Sequence, residues 1–291
     1  MSIDRRSLVK GLAAAAVAAS MPAEAEARQG KGAPPDAVGL LYDSKKCVGC
    51  KACVVACREA NDLPPDTRGY GNGLYDAPDS LNDSTKTIIQ LYREGNEQSF
   101  VKKQCMHCLD PACVNACMLG ALQKEKFGVV AWDPTRCVGC RYCQMACPFN
   151  VPKFEWAKAM PKIVKCEFCR PRLAQGRQPA CSEACPRGAV IFGKRAELLD
   201  EAHRRLALHA ERYVQKVYGE RELGGTQMLY ISNVPFEKLG FRFDETQAVP
   251  ELQRVVQHGL YQGFFAPVVL YGLLGAVIFR NRRASADEEQ Q

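Results

Sequence analysis

The stretch Cys137-Val-Gly139-Cys140-Arg-Tyr-Cys143-Gln-Met-Ala-Cys147-Pro148 decides how the rest of the chain is read. Its thiols follow a C-x2-C-x2-C-x3-C-P spacing, a ligand pattern of [4Fe-4S] clusters. Three thiolates two residues apart wrap one face of a cuboidal cluster. Gly139 leaves room for a tight loop that turns backbone N–H groups towards the sulfurs. In chains with two clusters the fourth cysteine ligates the neighbour, and the proline then turns the chain away. One such run calls for a companion, and this chain carries three.

Sixteen cysteines fall into four quartets with none left over: Cys47, Cys50, Cys53 and Cys57; Cys105, Cys108, Cys113 and Cys117; Cys137, Cys140, Cys143 and Cys147; Cys166, Cys169, Cys181 and Cys185. Repeated two-residue spacings are a demand of metal centres and not of disulfide scaffolds. The first quartet repeats the third closely, with Arg58 where Pro148 stands. The second has a four-residue middle gap and contains His107, which is read as a supporting or surface residue because four thiolates are already present. The fourth is the most open, C-x2-C-x11-C-x3-C, and taken alone also fits a structural zinc site. Its exit, Cys185-Pro-Arg-Gly-Ala-Val-Ile-Phe-Gly193, repeats the Gly-Ala-aliphatic exit after Cys117 and places it with the others.

The net charge of +7 is modest, and both ends of the chain balance, so the excess lies in the body. No basic run is interleaved with aromatics, which argues against nucleic acid as a partner.

Residues 1–27 read as a twin-arginine signal peptide. Asp4-Arg5-Arg6-Ser7-Leu8-Val9-Lys10 precedes an Ala-rich run and the small-residue exit Ala23-Glu-Ala25-Glu-Ala27. Such leaders imply export of an already folded chain, as cluster insertion before crossing a membrane would require. Residues 28–40 form a flexible lead-in rich in Gly and Pro. Residues 41–195 hold the four quartets, with an insertion at 59–100 read as a partner-facing surface, whose one strand-like piece is Lys86 to Tyr92. Residues 196–258 form a C-terminal extension with a helical stretch at Glu197 to Glu211 and a turn and strand at Gly224 to Ser232. The uncharged run 259–279 is long enough for a transmembrane anchor of about 31 Å. Arg280, Arg282 and Arg283 follow it, which predicts a cytoplasmic tail at 280–291 and a body on the other side.

Helix, strand and turn between Cys105 and Cys147 have the layout of a two-cluster ferredoxin unit. Exchanging the fourth cysteines within it gives two ligand sets: Cys105, Cys108, Cys113 and Cys147 for site 3, and Cys117, Cys137, Cys140 and Cys143 for site 4. The same rule applied to the outer quartets gives Cys47, Cys50, Cys53 and Cys185 for site 1, and Cys57, Cys166, Cys169 and Cys181 for site 2. The expected fold class is α+β: two back-to-back bacterial-ferredoxin-like pseudo-repeats binding four [4Fe-4S] clusters, with a long loop insertion and a C-terminal transmembrane helix. No nucleotide-binding glycine fingerprint, catalytic triad or open metal site accompanies them. The chain is expected to carry electrons without being a catalyst.

Over about residues 40 to 195 this order of quartets resembles the four-cluster ferredoxin subunits of molybdopterin oxidoreductases and related complexes. Leu41-Tyr-Asp-Ser44, Lys102-Lys-Gln-Cys-Met-His-Cys108, Cys147-Pro-Phe-Asn-Val-Pro-Lys153, Lys165-Cys-Glu-Phe-Cys169 and Ala189-Val-Ile-Phe-Gly193, with the leader and the tail anchor, are similar to the ferredoxin-like subunits of respiratory uptake hydrogenases. The resemblance implies hydrogenase small and large subunits and an integral membrane quinone-reactive subunit as partners, export by the twin-arginine machinery, and a place on the periplasmic side of the inner membrane. The equivalent iron-sulfur subunit of a formate dehydrogenase or another molybdopterin enzyme is the alternative, and a zinc-binding structural protein the distant one.

Overall fold

The computed structural model describes residues 33–64, 80–241 and 265–288. The leader at 1–27, residues 65–79 of the insertion and residues 242–264 lie outside them.

Strand β1 (Val38–Asp43) is a near-continuous apolar run, as a strand covered on both faces requires. It is the middle strand of three. Strand β8 (Val190–Lys194) pairs with it antiparallel, Leu40 opposite Phe192, and β9 (Met228–Ile231) pairs parallel, Leu41 opposite Leu229. Helix α6 (Arg195–Leu208) lays Leu198, Ala202 and Leu206 against Leu41, Leu229 and Ile231, so the part of the C-terminal extension up to Phe241 contributes a strand and a covering helix to the central sheet.

Each quartet builds its own short helix. The first and third runs share one geometry: a glycine in the left-handed region (Gly49 φ 69°, Gly139 φ 71°), then a basic residue also left-handed (Lys51 φ 58°, Arg141 φ 65°), then a helix. These helices are α1 (Ala52–Glu59) and α3 (Tyr142–Ala146). The widened second and fourth quartets instead start single-turn helices after a proline, α2 (Ala112–Asn115) behind Pro111 and α5 (Ala180–Glu183) behind Pro179. Helix α1 packs on α5 and α2 on α3.

The strands repeat this nesting. β4 (Leu122–Lys124), which follows the second quartet, pairs antiparallel with β5 (Val130–Trp132), which precedes the third. In the same way β8, after the fourth quartet, pairs with β1, before the first.

The described part of the insertion is a hairpin, β2 (Ile88–Glu94) with β3 (Glu97–Lys103). Its second strand was not read from the sequence. Ile88, Ile89 and Val101 are buried, and the Tyr42 hydroxyl donates to the Phe100 carbonyl at 2.8 Å. This part packs inward over the first cysteine run.

Two smaller elements complete the body, the pair β6 (Lys153–Phe154) with β7 (Ile163–Val164) and helix α4 (Arg170–Ala174). At the C-terminus, α7 (Phe265–Glu288) is helical straight through the arginines, although the sequence predicts an anchor ending at Phe279. Its uncharged part, 265 to 279, spans about 22 Å, less than a hydrocarbon core of about 30 Å. Among the described residues no helix is long and apolar enough to cross a membrane, and residues 259–264 of the expected span lie outside them.

Candidate iron-sulfur sites

All sixteen cysteines are free of disulfides. The fold gathers their thiols into four groups by electrostatic proximity. Cys47, Cys50, Cys53 and Cys185 line one cavity with Tyr42, Ile89 and Val190. Cys57 and Cys166 each act on or feel Cys181 and Cys169. Cys108 feels Cys147, Cys113 and Cys105. Cys143 feels Cys117, Cys137 and Cys140.

Neighbouring groups also touch electrostatically, and always in the same succession. Cys53 acts on Cys181, from site 1 to site 2; Cys105 on Cys166, from site 2 to site 3; Cys143 on Cys113, from site 3 to site 4. The sequence left this order open. Cys50 of site 1 and Cys140 of site 4 are exposed, while the other fourteen thiols are buried or half-buried. The two ends of this succession each carry one exposed cysteine.

Local geometry serves the sulfurs. The Gly49 amide donates to Cys47 Sγ at 3.5 Å, the Ala189 amide to Cys185 Sγ at 3.3 Å, and Asn61 Nδ2 to Cys57 Sγ at 3.7 Å. Burial pushes the thiols of Cys57 and Cys143 up to about 12, and those of Cys147 and Cys181 up to about 11. Thiolates at these positions therefore need cationic compensation, which iron provides. A cuboidal cluster takes one thiolate at each of four separate irons, and among the described residues each of the four groups supplies cysteine thiols and no other strong ligand set.

Upstream of Cys47 and of Cys137 an aspartate shapes the entry. Asp43 is fully buried; it accepts from the amides of Lys45 (3.0 Å) and Lys46 (3.3 Å) and pairs with Arg205 at 2.9 Å. Asp133, at the same place before Cys137, accepts from the amide and hydroxyl of Thr135 at 2.9 and 2.7 Å and stays at the surface.

Three residues matter more than the sequence showed. His107 is completely buried, not at the surface; its Nδ1 accepts from the Val130 amide at 3.1 Å and its ring meets Phe168 edge-on at 4.2 Å. Burial pushes its imidazole well below the usual value, with Lys165 and Lys124 adding to the effect. Lys102 and Lys165 are likewise buried among the thiol groups. The signal for them was present only as basic residues upstream of Cys105 and Cys166.

The class these features define is that of proteins with paired iron-sulfur centres: two models described as 4Fe-4S dicluster domain match, one over residues 39–118 and one over 96–195. Among curated relatives, the hydrogenase-2 operon protein HybA of Escherichia coli O157:H7 is 36% identical over 97% of this chain and 96% of its own length. The nitrate-inducible formate dehydrogenase iron-sulfur subunit of Escherichia coli K12 is 38% identical over 67% of each chain. A protein of Nitratidesulfovibrio vulgaris Hildenborough is 40% identical over 86% of this chain and 70% of its own. The chain belongs to the family of HybA and the related iron-sulfur subunits, which carry electrons and are not catalytic.

Proposed function

We propose that the chain is the electron-transfer subunit of a respiratory uptake [NiFe]-hydrogenase, linking the hydrogenase small subunit to a quinone-reactive integral membrane partner through four [4Fe-4S] clusters. Cys47, Cys50, Cys53 and Cys185 would hold the first cluster, Cys57, Cys166, Cys169 and Cys181 the second, Cys105, Cys108, Cys113 and Cys147 the third, and Cys117, Cys137, Cys140 and Cys143 the fourth. Bound there, the clusters supply one-electron carriers. The protein's residues hold them in succession, bury most of the cysteines of the middle two sites, and leave one exposed cysteine at either end. That succession, with Cys50 and Cys140 the exposed cysteines, is the observation that carries the reading.

The similarity to HybA covers 97% of this chain and 96% of that one, whereas that to the formate dehydrogenase subunit covers two thirds. This favours a hydrogenase as the partner complex. The leader at residues 1–27 and the segment 259–279 belong to the same reading, as a twin-arginine signal and a single-pass anchor with a cytoplasmic tail. The exposed apolar side chains of Val269, Leu270, Leu273, Leu274, Val277 and Ile278 on α7 support it, since such a face needs a cover.

Full-length protein purified without oxygen should be brown and contain about sixteen iron and about sixteen acid-labile sulfide per chain, four of each per cluster. Colourless protein holding zinc would sink the reading. Co-purification with a molybdopterin subunit in place of hydrogenase subunits would move the chain to the formate dehydrogenase side of the family.

A further inference from the structure

Strand β3 turns one charged side chain into the protein. Lys102 has no solvent exposure, and its ammonium donates to the hydroxyl of Thr87, itself buried beside Gln104. Among the described residues it pairs with no carboxylate. The anionic groups that act on it most are thiols, Cys53 of site 1 and Cys181, Cys57 and Cys166 of site 2. An ammonium buried without a carboxylate is costly unless something nearby carries negative charge. Burial works against its charge, and these four sulfurs more than restore it. Conversely, Lys102 favours the thiolates of Cys53, Cys57 and Cys181, with Lys86 joining it at Cys57.

The next residue provides a contrast. Lys103 points the other way, donating to the Leu239 carbonyl at 2.7 Å and lying 3.7 Å from the centre of the Phe241 ring. The shift from one residue to the next along a strand reverses the facing, so only Lys102 meets the thiols.

We infer that Lys102 is a fixed countercharge shared by sites 1 and 2, a positioning residue that sets the reduction potentials of the clusters held there. A cluster gains one negative charge with each electron it accepts. A buried cation beside it stabilises the reduced form and raises its potential, and the low local dielectric strengthens the effect. By joining Cys53 and Cys181, Lys102 acts on both sides of the junction between these sites and holds the two potentials up together. The inference rests on the cluster reading above.

The test is an anaerobic redox titration of the full chain, followed by electron paramagnetic resonance, after iron and sulfide have been measured. Wild type without iron would refute the cluster reading itself. A failure of the present inference shows differently, as a fully loaded Lys102→Met protein whose signals all titrate as in wild type. The expected result for Lys102→Met is a shift of two of the four clusters to lower potential with the other two unmoved, no shift for Lys103→Met, and wild-type potentials for Lys102→Arg. A shift common to all four clusters, or the same shift in Lys103→Met, overturns the assignment. Should Lys102→Met lose iron, Lys102→Gln and Lys102→Arg decide the matter. Full loading in the Arg variant alone supports a need for charge at these sites, and loss in all variants overturns it in favour of packing.

Discussion

The two cysteine units of this protein are built alike and tied together differently. The inner unit, sites 3 and 4, is closed by the local hairpin β4–β5, with Leu122 opposite Trp132. The outer unit, sites 1 and 2, is closed by β1 and β8, with Leu40 opposite Phe192, and needs β9 and α6 to cover the pair. The same ligand geometry can thus be reached from neighbouring sequence or from the two ends of a domain. In the second case it leans on long-range supports, a buried Asp43–Arg205 pair and a third strand.

The largest expected effects come from the exchanged fourth cysteines. Cys147→Ser should remove the cluster of site 3, although it lies in the third run, and Cys185→Ser that of site 1. Iron should fall from about sixteen to about twelve per chain in each case. The two variants should differ in stability. A cluster spanning Cys53 and Cys185 closes 132 residues of chain, and one spanning Cys113 and Cys147 closes 34. Loop-closure entropy grows as the logarithm of that length, so the outer loss should cost about 1 kcal/mol more. Anaerobic guanidinium unfolding with iron analysis measures both quantities. Loss of the site 4 signal in Cys147→Ser would break the exchanged pairing.

The paired aspartates give the next step down. Asp43→Asn breaks a buried ion pair and leaves Arg205 with Glu201 alone, at 2.7 Å, at a cost of about 1–3 kcal/mol. Asp133→Asn keeps an acceptor for Thr135 at an exposed loop and should leave the unfolding midpoint near that of wild type. Equal midpoints for the two variants would show that the outer unit is no more dependent on its entry than the inner one.

The cysteine runs and three of the nine described strands, β2, β5 and β9, were legible because they are local: spacing, a glycine, a proline and short apolar runs determine them. Lys102 was not legible. A lysine in a polar insertion reads as surface, and only the packing of that hairpin against residues 53 and 181 makes it buried. For His107 the sequence left a supporting and a surface place open, since Phe168 and Val130, which enclose it, are distant in sequence. The parallel pairing of β9 with β1 was equally hidden: the strand itself shows in Met228 to Ile231, its neighbour does not. The anchor fell between these cases, with its apolar run plain in the sequence and the described helix continuing past it into the charged tail.

The smallest contrast separates the two loops that look most alike. Gly49 and Gly139 both have left-handed backbones, at φ 69° and 71°, so an added side chain costs about 1–2 kcal/mol at either place. Their surroundings differ. A Cβ on Gly49 would lie 2.3 Å from the Phe100 ring, which the β2–β3 hairpin holds against the loop, whereas one on Gly139 would lie 3.2 Å from the edge of Phe154. Phe154 can give way by a few tenths of an ångström. Phe100 cannot move as far without shifting the strand that carries Lys102. Gly49→Ala should therefore lower the unfolding midpoint more than Gly139→Ala and loosen iron at site 1 first, while Gly139→Ala keeps full iron with a small loss of stability. If Gly139→Ala proved the more damaging, the hairpin would not be the support of the outer unit, and the distinction between a locally closed and a remotely closed site would fail at this loop.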